Sequence, residues 1–198
     1  VKVSGTSAQT ILSNNDGSGA YYILNVQSGG AIRLALSEGA CGTGSTFKWD
    51  VTTDTITADA WHHIVGIMDR SAVEAYIYID GTLKKTFSIS GLEGICTGND
   101  LEIGREDAGV PGGSSYFNGT IDEVRIYNRA LSAQEILDGM NSPYPVDRAV
   151  ASYSFEKVDS KAWDTHNVVK GKYGSALSFD GVDDYVDAGK GANLDITK

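Results

Sequence analysis

Residues 20–37 alternate apolar and polar positions in two runs, AYYILNV and AIRLALS, separated by a break at Ser28, Gly29 and Gly30. Strand side chains alternate between faces, so each run predicts a strand and the glycine-rich break predicts a hairpin turn. Residues 61–89 predict a meander of three strands, with a turn at residues 69–72 and a tight turn at Asp80-Gly81. In the middle run, Ala75, Tyr76, Ile77, Tyr78 and Ile79 are apolar at every position, the pattern of a strand covered on both faces. The stretch TIDEVRIYNRALSAQEILDGM predicts a strand to about Tyr127 and then a short helix opening at Ser132. Ser132 and Glu135 have capping-box spacing, and Ile136 and Met140 share a helical face. NSPYPVDRA, with two of the three prolines, reads as a linker. Beyond it come a strand in VASYSFEK, a polar excursion over residues 158–172, and YGSALSFDGVDDYVDAG, which reads as a hairpin with an acidic turn.

Composition sharpens this to an all-β expectation. The 198 residues contain 24 Gly, 3 Pro and 10 Tyr and are 41% hydrophobic, enough for one strand-rich core. A formal net charge of −10 repels phosphate backbones and anionic lipid, which argues against nucleic acid as a partner and against membrane surfaces. No apolar run is long enough to span a bilayer, and the opening VKVSGTSAQT lacks the apolar core of a signal peptide, so a soluble, processed form is expected. Cys41 and Cys96 lie in glycine-rich loops rather than apolar strands, where a disulfide suits them better than burial as thiols.

The segments WHHIVGIMD, AYIYIDGTL, FNGTIDEVRIYNRALSAQEI and GKYGSALSFDGVDDYVD together resemble the laminin-G-like, concanavalin A-like domains of secreted proteins. The resemblance implies a two-sheet antiparallel jelly roll sandwich at the cell surface or outside the cell. It also implies a function among glycan-binding modules, adhesion modules and accessory parts of carbohydrate-active enzymes. In such domains the GKYGSALSFDGVDDYVD segment opens the fold and the IDEVRIYNRALSAQEI segment closes it, whereas here the order is reversed. The expected division is therefore residues 1–142 as the main part of the jelly roll, 143–149 as linker, and 150–198 as its opening segment. That segment could complete its own chain as a circular permutation, complete a neighbouring copy, or begin a second domain of a tandem array. The resemblance also implies a further strand between Lys198 and Val1, ending in a Trp just before Val1. Its absence leaves a slot that an incoming strand could fill.

Candidate chemistry is sparse. The turn carrying Asp180, Asp183, Asp184 and Asp187 offers the oxygen ligands that Ca²⁺ prefers. The resemblance adds Asp122, so the expected metal set is Asp122, Asp180, Asp183 and Asp184. Glycan binding would use loop aromatics and polar neighbours, for which Trp163, Tyr116, Asn14, Asn15, Asp16 and Asn99 are candidates, while Trp49 and Trp61 are expected in the core. His62 and His63 are adjacent in a predicted strand, point to opposite faces and cannot share a metal. Asn118-Gly119-Thr120 is a glycosylation sequon that reads as a turn. The E-x-D-x-x-E strand of laminarinase-type glycosidases is absent, and Asp122 and Glu123 are adjacent and cannot face each other as acid and nucleophile. The expectation is a non-catalytic carbohydrate-binding or adhesion module. The alternative is a structural subunit of an extracellular filament built by exchange of strands.

Overall fold

The alternating runs are strands in the computed structural model, which describes residues 1–5, 7–15, 20–38, 46–92, 100–106, 115–143, 149–156 and 167–189. In chain order they are β1 (Lys2–Val3), β2 (Gln9–Ser13), β3 (Ala20–Val26), β4 (Ala31–Glu38), β5 (Phe47–Thr55), β6 (Ile64–Asp69), β7 (Glu74–Ile79) and β8 (Thr82–Ser88). There follow β9 (Glu102–Ile103), β10 (Arg105–Glu106), β11 (Ser115–Tyr116), β12 (Asn118–Ile121), β13 (Val124–Tyr127) and helix α1 (Ala133–Met140). The last strands are β14 (Ala149–Tyr153), β15 (Val168–Lys170), β16 (Ser175–Asp180) and β17 (Val186–Asp187).

One layer is a six-stranded sheet in the order β17-β9-β2-β3-β4-β5, and the remaining strands form smaller sheets, among them β1-β12-β16-β15, β13-β14 and β6-β7-β8. A single apolar cluster joins them. Leu24, Leu34 and Leu36 of the six-stranded sheet share it with Ile77 of β7, Ile121 of β12, Val124 of β13 and Phe179 of β16. This is the all-β jelly roll architecture that the segments imply. The hairpin of residues 20–38 and the meander of residues 64–88 lie where the alternation places them.

Several expectations need correction. Residues 173–189 do not form a hairpin: β16 lies between β12 and β15, while β17 pairs with β9 at the edge of the six-stranded sheet. With both edges of β16 taken, the acidic turn carries the chain from one sheet to the other. β7 is not covered equally on its two faces, because Ala75, Ile77 and Ile79 are buried whereas Tyr76 and Tyr78 are half-buried. Trp49 is not a core residue, being 52% exposed on β5, and Trp61 is half-buried. The sequon Asn118-Gly119-Thr120 opens strand β12 rather than making a turn, and the polar excursion contains β15.

The helix forms as its cap predicts. The Ser132 side chain accepts from the Glu135 N–H, and the Glu135 carboxylate accepts from the Ser132 N–H at 2.8 Å. Ile136 is buried, and Leu137 and Met140 reach the β7–β8 turn, where a Cβ on Gly81 would run into Leu137. Gly81 has φ +74°, so the turn needs glycine for both its backbone and its contact with α1.

Candidate functional site

Across β3, β4 and β5 the register sets three rows on one face: Tyr21–Ser37–Phe47, Ile23–Ala35–Trp49 and Asn25–Arg33–Val51. The intervening positions, among them Tyr22, Leu24, Leu34 and Leu36, belong to the core, so these rows lie on the face turned away from it, where Ile23, Asn25, Ala35 and Ser37 are nonetheless buried. Phe47 is 44% and Trp49 52% exposed. Tyr21 packs edge-on against Phe47 with ring centroids 5.9 Å apart. Below the rings, Asn25 Oδ1 accepts from Arg33 Nε at 3.2 Å and from Gln27 Nε2 at 3.1 Å. Two rings are thus presented on edge strand β5, where they can stack on the apolar face of a sugar ring, whereas Ile23, Asn25, Ala35 and Ser37 in the neighbouring rows are buried. None of these residues was a candidate from the sequence. The FKWDV alternation shows that Phe47 and Trp49 share a face, but alternation alone does not say which face is outside.

The predicted residues gather, in part, elsewhere. Carboxylate oxygens of Asp180, Asp183 and Asp184 lie within 4.8 Å of one another. The turn uses some of this capacity: Asp184 Oδ2 accepts from the Asp180 N–H at 3.0 Å, Asp184 Oδ1 from Asn167 Nδ2 at 3.0 Å, and Asp180 Oδ1 from the Val182 N–H at 2.8 Å. Asp122 does not join them. In the β12–β16 register Asn118 opposes Asp180 whereas Ile121 opposes Leu177. Asp122 therefore lies about four residues along the ladder, roughly 13 Å away. Its Oδ2 accepts from the N–H groups of Lys172 and Tyr173 at 2.8 and 3.0 Å, which ties down the turn before β16, and burial raises its pKa.

Tyr116 pairs with Arg105 across β10–β11. Arg105 is an ion-pair partner of Glu102, with Nε 3.0 Å from Oε2, and its guanidinium sits 3.7 Å from the centre of the Tyr185 ring. Tyr185 follows Asp184, so this cluster adjoins the acidic turn. A polar cleft of about 190 Å³ between Gln9, Tyr116, Asn118 and Gly181 completes that end of the molecule. Asn15 Nδ2 donates to Glu106 Oε1 at 3.1 Å, whereas Asn14 is buried and its Oδ1 accepts from the Tyr22 N–H at 2.7 Å, a role in the fold. Asp16, Asn99, Trp163, Cys41 and Cys96 lie outside the described residues.

Comparison with known proteins follows the fold. An alignment of 142 positions that covers 69% of this chain is 28% identical to adhesion G-protein coupled receptor V1 of Danio rerio and spans 2% of that receptor's length. A heptameric SAP-like pentraxin of Limulus polyphemus superposes with TM-score 0.57 at 16% identity, over 97% of this chain and 81% of the pentraxin. A Bacteroides ovatus protein described as carbohydrate-binding superposes with TM-score 0.52 at 17% identity, over 91% of this chain and 53% of that one. Residues 1–137 match the laminin G profile of the concanavalin A-like lectin/glucanases superfamily. That match covers more than half of the chain, and the protein therefore belongs to this laminin G family of concanavalin A-like domains.

Proposed function

We propose that the protein is an extracellular, non-catalytic carbohydrate-binding or adhesion module whose ligand lies against Phe47 and Trp49 of β5. The observation that carries this reading is the pair of exposed rings, Phe47 and Trp49, at alternate positions of edge strand β5. Rings held by a sheet are positioned before ligand arrives, which limits the ordering cost of binding. The adhesion receptor and the carbohydrate-binding protein among the similar proteins support the same class. Asp180, Asp183 and Asp184 would hold Ca²⁺, since an all-oxygen carboxylate set suits a hard cation, and the ion would fasten the crossing between β16 and β17.

The test is affinity electrophoresis against a panel of neutral and acidic polysaccharides, with Trp49→Ala and with chelator. Trp49→Ala is expected to weaken binding at least tenfold, about 1.4 kcal/mol. Retardation by no polysaccharide, or retardation indifferent to Trp49→Ala, sinks the site. For the metal, Ca²⁺ is expected to raise the unfolding temperature of the wild type, and Asp183→Asn to remove that rise. The Asp180 and Asp184 hydrogen bonds that shape the turn stay available in this variant.

A further inference from the structure

The sequon Asn118-Gly119-Thr120 occurs once in the chain, and its place on β12 orients it as a turn would not. Phe117 is fully buried and meets Phe179 edge-on in the core, with ring centroids 6.0 Å apart, and Ile121 is fully buried as well. Strand side chains alternate, so Tyr116, Asn118 and Thr120 share the face turned away from that core. Asn118 is exposed, Tyr116 is half-buried, and Thr120 is only 7% exposed.

The backbone of Asn118 is fully engaged and its side chain is not. Its N–H donates to Gln9 Oε1 at 2.9 Å, and its C=O accepts from the Ser4 N–H at 2.9 Å. Gln9 is itself held, with Nε2 donating to the carbonyls of Gly5 and Ser7 at 3.3 and 3.4 Å. Among the described residues the Asn118 side-chain amide has no hydrogen-bond partner. Beside it Gly181 has φ +83°, and a Cβ there would stand 2.9 Å from Asn118 Cβ and 3.3 Å from Nδ2. A side chain at 181 would crowd the amide, whereas glycine leaves it a path to solvent. Ser4 and Asp180, on either side of Asn118, are exposed too.

We propose that Asn118 is an acceptor for an N-linked glycan, and that the first sugar rests on Tyr116 in the polar cleft of about 190 Å³ that both residues line. The co-substrate is an oligosaccharide carried on a lipid diphosphate. Asn118 Nδ2 bonds to its anomeric carbon, and the bond from that carbon to the diphosphate oxygen breaks. The lipid diphosphate departs with the electron pair, and a base of the transferase takes one amide proton. The Thr120 hydroxyl is the other half of the motif, and the fold covers it. Transfer therefore precedes the closing of β12 between β1 and β16, and the finished fold leaves the modified amide outside.

Tyr116 stands two residues before Asn118 on the same face, about 7 Å along the strand. From there its ring offers an apolar surface to one side of the sugar, and Ser4 and Ser7 line the same cleft with hydroxyls. This inference rests on the extracellular placement proposed above, because the motif is read in chains bound for secretion. It makes no use of Phe47 or Trp49.

The test is secretion of the full chain from a eukaryotic host behind a signal peptide, with intact mass measured before and after a glycosidase that cleaves the asparagine-linked bond. The wild type is expected to carry a mass excess that the enzyme removes, and Asn118→Gln and Thr120→Val are each expected to carry none. Thr120→Val keeps the shape of the buried side chain and leaves Asn118 in place, so the loss there reads the hydroxyl rather than the fold. Trimmed to its first sugar, the wild type is expected to unfold about 2–4 °C above Asn118→Gln, and that gap is expected to close when Tyr116→Ala is added to both. A wild type secreted without the excess, or an excess that survives either sequon variant, overturns the acceptor. A gap indifferent to Tyr116→Ala overturns the place of the first sugar. Trp49-dependent retardation by polysaccharide, measured on the same secreted protein, reads the module separately, so a failed acceptor and a failed module are told apart.

Discussion

His62 and His63 are adjacent yet live in opposite surroundings. His62 Nδ1 lies 2.8 Å from Asp80 Oδ2, and its Nε2 accepts from the Thr57 N–H at 3.1 Å. That acceptor role puts the proton on Nδ1, shared with Asp80. His63 turns the other way, and burial pushes its pKa down to about 4. The unfolded chain binds this proton near pH 6.5 and the folded chain only near 4, so stability contributed by neutral His63 is full above about 6.5 and is lost as the pH falls toward 4. Urea unfolding at intervals from about pH 7 to 5, where carboxylates contribute little slope, is expected to show a decline that His63→Gln flattens. An unchanged slope in the variant would mean that His63 does not set it. The paired histidines were legible as residues on opposite faces. The partners that separate them are Thr57 and Asp80, the latter 17 residues beyond His63 in the sequence and brought opposite it only by the pairing of β6 with β7.

Local chemistry made the elements legible and left their neighbours open. The helix is the clearest case, because a serine and a glutamate three residues apart satisfy each other's backbone without help from the rest of the fold. Arg129 adds two contacts to Glu135, at 2.7 and 3.0 Å, and holds its pKa down to about 2. Glu135 therefore stays ionised through mild acid, and its contribution is lost only as the pH falls toward 2. Ser132→Ala is expected to cost about 1 kcal/mol, equally at about pH 7 and pH 4, in urea midpoints. A cost that vanishes at the lower pH would mean that Glu135 had already been neutralised. The strands behave differently. β5 alternates as a strand should, yet on this edge strand the polar positions face inward, with Asp50 paired to Lys85 of β8 at 3.0 Å, and the aromatic positions face out. Inward charge on an edge is a known defence against unwanted pairing. Nothing in FKWDV distinguishes it from a core pattern, and that is why Trp49 and Phe47 were missed.

At the scale of the whole molecule, the acidic stretch at residues 180–187 joins two sheets, and β6 borders a groove floored by the six-stranded sheet. Neither feature is local: β16 and β17 were legible as strands, but their partners β12 and β9 are set by which edges the rest of the fold leaves open. Among the described residues β6 pairs with β7 alone, and this has a direct consequence. Val65 and Ile67 turn their amides to β7, whereas Ile64, Gly66 and Met68 turn theirs to the groove. Amide hydrogen exchange is expected to alternate along β6, slow at Val65 and Ile67 and fast at Ile64, Gly66 and Met68, while β7, paired on both sides, is slow throughout. Uniform protection along β6 would show that its second edge is covered as well.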